Sequence, residues 1–388
     1  MKKVIFNFKM YSLFSNFLIF MPVLVNIYTA REITTSQILL IEAFYCITIA
    51  IFELPSGYLG DKIGHDKLVL IGLLGTFTSY ILFAYSNNIV MIIISQMFLA
   101  IFATCISGSD IGSLSTYLDA IDNGDNIDIH NSIYFFSTIS LLVAYLASGF
   151  VIKINPNGNL IFIITAISYL IATLYFIKFI VEKKKVIEEF KALTGNKAKI
   201  IQEDNNLSYK KENEALFIDI IVCGLIFGML SATYLISQIF YNNVKLNSSF
   251  LGIIYCVGSI LSMLFAKSKS KFNRNTLYCI PILFIIPMIN NKMMVIPFLI
   301  LLSYVKAKIN PFINNYISYH SKYNKAFNLS ISSLINNCIN GALMFSLSGI
   351  IYKIGFTLAM GLFSIAAIIL ITYIYSTSSE KFKKAITK

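Results

Sequence analysis

Lys306 stands in the middle of a long apolar run, followed at four-residue intervals by Asn310, Asn314 and Ser318. That spacing puts all four on one face of a helix. A charge inside an apolar span costs about 2.5–3.5 kcal/mol on insertion scales, so such a face turns toward protein or a water-filled path rather than lipid. It can bind a polar substrate or pass a proton; the alternative is an ion pair or a polar contact between helices. Asp110 is the second such group, in a run that also carries Gln96, Ser107 and Tyr117. Glu42 and Asp219 are further carboxylates at apolar positions, and a third stripe holds Asn328, Ser332, Asn336 and Asn340. Polar residues also serve as packing contacts between apolar helices, and Asn and Lys are common throughout this chain. Lys308 points to another side of its helix, where snorkelling is the simpler reading. Tyr28, Tyr234 and Tyr241 are candidates to line a cavity for an aromatic or amphipathic compound.

Other chemistries have no residues to carry them. Cys46, Cys105, Cys223, Cys256, Cys279 and Cys338 all fall in apolar runs, with no CxxC pair and no histidine at metal-ligand spacing. They read as small hydrophobic residues. His65, His130 and His320 fall at the ends of apolar runs, so a metal site is not expected. No nucleophile–base pair sits within the runs, which argues against an enzyme. No cofactor is expected.

The elements that hold these residues follow from composition. The chain has 388 residues, of which 57% are hydrophobic and 13% charged. Soluble domains carry about 25% charged residues; this chain lacks the polar surface to face water. A helix that crosses a bilayer needs about 20 mostly apolar residues. Such runs lie near 8–30, 36–59, 68–86, 89–118, 133–153, 159–181, 216–241, 247–267, 275–290, 293–319, 326–352 and 355–377. The ninth is short and interrupted by Pro281 and Pro287. Met1-Lys2-Lys3 precede a stretch with no small-residue cleavage site, which reads as an uncleaved first helix. The expected fold is an all-α membrane protein with twelve transmembrane helices.

The formal net charge of +12 is not spread as a nucleic-acid binder would have it. Basic residues cluster in alternate loops. With the N-terminus inside, only Arg31, Lys153, Lys245, Lys292 and Lys353 fall in outer loops, and nearly all the other Lys and Arg fall on the cytoplasmic side. Positive residues favour the cytoplasm, so both termini are expected there. The loop 119–130 carries Asp119, Asp122, Asp125 and Asp128 without a lysine, but acidic residues weigh little in this rule. Residues 182–214 are rich in Lys, Glu and Asn and read as a solvated linker. They divide the chain into an N-terminal six-helix bundle, 1–181, and a C-terminal one, 215–388.

The most specific local pattern is Gly57-Tyr58-Leu59-Gly60-Asp61-Lys62-Ile63-Gly64-His65-Asp66-Lys67, in the turn between the second and third spans. Its glycines permit close backbone approach, and Asp61 is placed to pair with a base or cap the next helix. In this position the pattern resembles the G-x-L-x-D-[RK]-x-G-[RK] loop of the major facilitator superfamily. It matches at Gly57, Leu59, Asp61, Lys62 and Gly64, and departs at His65 and Asp66. Glu53-Leu54-Pro55-Ser56-Gly57 is similar to the E-[LI]-P-[ST]-G stretch of a bacterial branch of exporters. Ser107 to Asp119 and Lys325 to Ser330 fit that branch loosely. The fifth span lacks the G-P-x-x-G-G motif of drug/proton antiporters.

The resemblance implies a secondary transporter with two pseudo-symmetric six-helix bundles. Glu53, Pro55, Gly57, Asp61, Lys62 and Gly64 then belong to the conformational machinery. Helices one, four, seven and ten would line a central cavity that Asp110 and Lys306 face from opposite halves. The substrate and proton pathway is expected to use Asp110, Lys306, Asn310, Asn314, Glu42 and Asn336. The expected activity is proton-coupled export of a small amphipathic compound by a monomer in the cell membrane. Import of a nutrient or siderophore, or lipid flipping, is the alternative.

Overall fold

The computed structural model describes residues 2–121, 127–194, 214–268, 272–320, 325–379 and 382–383. Among these residues the chain is all-helical. The first eight helices are α1 (Lys2–Ser15), α2 (Leu24–Ala30), α3 (Thr35–Ile63), α4 (His65–Tyr85), α5 (Ile89–Ile106), α6 (Ser109–Ala120), α7 (Ile127–Ile154) and α8 (Asn159–Thr194). The remainder are α9 (Glu214–Asn243), α10 (Ser248–Lys267), α11 (Arg274–Ile285), α12 (Val295–His320), α13 (Lys325–Ile354) and α14 (Phe356–Thr377). Two short 3-10 turns, Ile286–Ile289 and Lys292–Met294, lie between α11 and α12.

Ten helical segments are long and apolar enough to cross a bilayer, the α5–α6 stretch counting as one. The burial pattern suits a lipid solvent. Phe150, Ile154, Met293 and Leu358 are exposed, whereas Asp219, Ser237, Gln238 and Thr233 are buried. An apolar exterior costs nothing against hydrocarbon, while polar groups must find partners inside.

Several expected spans differ in detail. The first is interrupted: residues 16–23 are turns between α1 and α2, with Pro22 among them. Proline supplies no N–H and biases the preceding residue away from the helix. Side-chain donors reach the carbonyls at the end of α1, those of Ser12 and Phe14 in addition to the Asn16 and Phe17 N–H groups at 3.3 Å. Ser140 Oγ bonds the Leu13 carbonyl, Ser168 Oγ bonds that of Phe14 at 2.6 Å, and Asn16 Nδ2 bonds that of Ser12 at 2.8 Å. The fourth span breaks at Ser107–Gly108, where Gly108 takes a φ of 77° that an L side chain resists. The ninth is the short α11 plus a 3-10 turn, with Pro281 inside α11 and Pro287 in the turn. Part of the segment read as linker is helical, because α8 runs through to Thr194; residues 195–213 lie outside the described residues.

The chain forms two compact units. Unit 1 comprises residues 1–21, 51–151 and 158–209. In it α4 packs on α5 and α8, and α1 packs on α8. Phe8, Tyr11, Phe176 and Phe179 form a cluster of ring contacts there. Asp66, in the first turn of α4, is tied to α6 and α8: Lys183 Nζ lies 2.7 Å from its Oδ1, and Ser113 Oγ donates to the same oxygen. Lys183 also donates to the Ser113 carbonyl at 3.1 Å.

Unit 2 comprises residues 22–50, 152–157 and 210–388. Its central contact is α9 against α13, with α10 on α12 and α11 on α14. Gly224 and Gly228 make the α9–α13 approach: a Cβ at either would lie 2.5 or 2.7 Å from Ile335 or Ile339. Small residues four apart let two apolar helices touch along their backbones. α2 joins α9 where Val25 N–H donates to Gln238 Oε1 at 3.2 Å. The first part of α3 lies against α13: the hydroxyls of Ser36 and Ser348 each donate to the other's carbonyl, at 2.7 and 2.8 Å.

Candidate substrate site

In unit 2, three helices bring polar side chains together around α9. Lys306, on α12, is half-buried, and its Nζ stands 4.7 Å above the ring of Tyr234 on α9. Apart from this ring contact, Lys306 has no hydrogen bond or ion pair among the described residues. A cation over an aromatic face gains roughly 0.5–2 kcal/mol, which offsets only part of the cost of placing an ammonium in an apolar helix. Tyr234 meets Tyr255 of α10 edge-on at 5.5 Å, and the Tyr255 hydroxyl is 3.0 Å from Ser237 Oγ. Tyr234 and Tyr255 are partly accessible. Behind them Tyr241, Phe240 and Phe298 are buried, with Tyr241 6.3 Å from Tyr255 and Phe298 6.1 Å from Tyr241.

One turn after Lys306, Asn310 keeps a buried Oδ1 without a hydrogen-bond partner. Pro311 follows it inside α12 and provides no N–H for the carbonyl four residues back, that of Ala307. The helix therefore concentrates unpaired polar groups beside Lys306. Asn314 lies on α12, but its side chain is outside those described. On the same side of α9, Ser231 Oγ donates to Asn336 Oδ1 of α13 at 3.1 Å. The structure thus joins Lys306 to Tyr234 and Asn336 to Ser231 through one helix.

The carboxylates are distributed differently. Asp110 sits in unit 1, in the first turn of α6, accepting from the Ile111 N–H at 2.8 Å and from the Tyr11 hydroxyl at 3.2 Å. Glu42 belongs to the α3 portion of unit 2. The Cys46 thiol is 3.8 Å from its Oε1, and Asn340 Nδ2 is 3.2 Å from that sulfur. The buried Tyr28 hydroxyl has no hydrogen bond among the described residues. Tyr28 and Tyr241 are thus packed residues, and of the three tyrosines singled out only Tyr234 is partly accessible. Asp219 is saturated: Tyr316 Oη, Ser379 Oγ and Ser379 N–H donate to it at 2.7, 2.6 and 3.0 Å. Lys308 caps the end of α10, donating to the Ser268 carbonyl and hydroxyl.

The glycine-rich turn runs from the end of α3 into α4. Gly64 has a φ of 91° and stands directly before His65, the first residue of α4, so the motif's last glycine answers a backbone requirement. Asp61 caps no helix, because α3 continues past it; its Oδ1 is 3.8 Å from His65 Nε2. Pro55, Gly57 and Lys62 are exposed, and Glu53 is half-buried on α3. A cavity of about 690 Å³ in unit 2 is lined by Asn26, Thr29, Ile152, Lys153, Asn242 and Phe250 among others, and by none of the expected pathway residues.

The profile of the Major Facilitator Superfamily matches residues 8–318. The chain belongs to that superfamily. It is accordingly a multi-pass membrane transporter and not an enzyme. Among solved structures, the nucleoside transporter NupG is similar, with a TM-score of 0.70 and 12% identity over 96% of this chain and 98% of that one. The peptide transporter POT in complex with sulfate gives 0.73 and 12% over 100% and 96%. A POT family transporter in complex with 5-aminolevulinic acid gives 0.68 and 14% over 99% and 96%. At these identities the likeness is one of fold. No curated protein matches.

Sequence spacing does not single out Tyr255, Ser231 or Cys46 around these superfamily helices. Tyr255 and Ser231 are scattered among many similar residues, and only packing distinguishes them. Asp66 had a signal, as an acid where a base is usual in the superfamily, and its partner Lys183 lay in the segment read as linker.

Proposed function

We propose that this protein is a secondary active transporter that exports a small amphipathic compound in exchange for protons. The observation that carries this reading is two carboxylates, Asp110 and Glu42, set in apolar helices with no basic side chain among their hydrogen-bond partners in the described residues. A carboxyl group so placed can hold or release a proton where a salt-bridged one is held in its charged form. The ten long apolar helices make ten crossings; α1 with α2 supplies the first, and α11 with its 3-10 turn the ninth. Both termini lie in the cytoplasm of a cell whose plasma membrane the chain spans. The linker separates two six-helix halves that rock in alternation.

In the proposed cycle, a site open to the cytoplasm binds substrate as Asp110 releases its proton. Rocking exposes the site outward, substrate leaves, and Asp110 is reprotonated before the return. The seam between α3 and α13, at the outer ends of both helices in this orientation, parts in the outward-open state.

Asp110→Asn should abolish proton-coupled transport in proteoliposomes while the protein remains monodisperse in detergent. Retention of full coupled activity would transfer the proton to Glu42, and full activity in a Glu42→Gln variant as well would end the proton reading. Direction is settled by flux in inverted vesicles under an imposed pH gradient, where substrate accumulation driven by an acidic lumen supports export. The opposite dependence supports import.

A further inference from the structure

We infer that the α9–α10–α12 site of unit 2 recognises an organic monoanion with a flat apolar body, its carboxylate on Lys306 and its ring against Tyr234 and Tyr255. This rests on the reading of that site as the substrate site. It adds the chemical class of what is bound.

The sign of the charge follows from the charge balance within unit 2. Lys306 is a cation in an apolar helix, accompanied by a tyrosine face and by no ion-pair partner among the described residues. Of the described carboxylate side chains in the unit's helices, Asp219 lies against Tyr316 and Ser379 and Glu42 against Cys46, and neither pairs with Lys306. No described residue of the unit therefore neutralises the ammonium, and a ligand that arrives with a negative charge does so. A cationic ligand would be repelled, and a neutral one would bury the ammonium further without compensation. Only one cation is present among the described residues of the site, whereas a phosphate dianion is usually met by several donors or an arginine fork. A monoanion fits the count.

The shape follows from the rings. Tyr234 and Tyr255 meet edge-on at 65° and are both partly accessible. They are fixed from behind by Tyr241, Phe240 and Phe298, whose rings contact one another at 5.6 to 6.1 Å. Such a wall cannot rearrange easily and offers an aromatic guest an edge and a face.

The test uses radiolabelled benzoate and purified full-length protein in detergent, read by scintillation proximity. Saturable benzoate binding is expected, displaced by phenylacetate and at least tenfold less well by benzamide or benzylammonium. Lys306→Gln should weaken benzoate binding tenfold or more, Lys306→Arg should retain most of it, and Tyr234→Leu should weaken benzoate more than it weakens acetate. Absence of benzoate binding to the wild type, equal displacement by benzylammonium, or unchanged binding in Lys306→Gln each overturns the proposal. The comparison of three probes on the wild type needs no variant to fold. Transport is scored separately in proteoliposomes: benzoate binding without flux of any probe would sink the transport reading but not the anion site, and flux of benzylammonium alone would do the reverse.

Discussion

Asp219 and Lys306 are both charged residues in the apolar helices of unit 2, yet their surroundings divide them. Asp219 is 2% exposed and receives three donors from α12 and the residues after α14. That is a structural knot: hydrogen bonds to a charged group contribute about 1.5–3 kcal/mol each at most in water, and less between membrane helices. Asp219→Ala should therefore lower stability by about 1–3 kcal/mol, seen as a lower thermal midpoint of the purified protein, while substrate affinity in the surviving folded fraction is unchanged. Lys306 has no such partners, so Lys306→Gln should spare stability and cost binding. If the two variants exchange phenotypes, the assignment of roles is wrong. Asp66 resembles Asp219, since Lys183 and Ser113 tie it across three helices of unit 1.

Helices are joined here by small residues and by repaired breaks. Gly224 and Gly228 let α9 lie directly on Ile335 and Ile339 of α13, and this contact also sets Ser231 against Asn336. Gly228→Val would force a Cβ to within 2.7 Å of Ile339. Overpacking of this kind costs roughly 1–3 kcal/mol. The expected result is a lower thermal midpoint together with loss of transport, whereas a wild-type midpoint would show that α9 and α13 do not meet here. The break after α1 is tolerated for a different reason. The Leu13 carbonyl is bonded by Ser140, and that of Phe14 by Ser168 and the Phe17 N–H, so these backbone groups do not face lipid unpaired.

At the scale of the molecule, the telling feature is where chain segments sort. Residues 22–50 precede the linker by far, yet they pack in unit 2 with α9 and α13. In the proposed cycle this seam must open once per turnover. Ser36→Cys with Ser348→Cys, in a background whose six native cysteines are replaced by alanine, should form a disulfide under mild oxidation, since the two hydroxyl oxygens are 3.0 Å apart. Cross-linking should stop transport and reduction should restore it. Undiminished transport in the cross-linked protein would mean that the seam does not part.

The amino-acid sequence by itself determined that the chain is helical and lives in lipid, because apolar run length and charge scarcity are properties of each segment alone. It also marked Lys306, since a charge amid apolar residues stands out without any knowledge of neighbours, and the loop with Gly64, because a backbone that needs positive φ leaves a glycine behind. The partners of those residues were not legible. That Lys306 meets Tyr234 while Asp219 meets Tyr316 depends on which helix faces which, and tyrosines, asparagines and serines recur too often in this chain for spacing to choose among them. The interruptions of the first and fourth spans likewise required the fold. A proline or glycine permits a break, but donors on neighbouring helices, such as Ser140 on α7 at the Leu13 carbonyl, make it tolerable within a membrane.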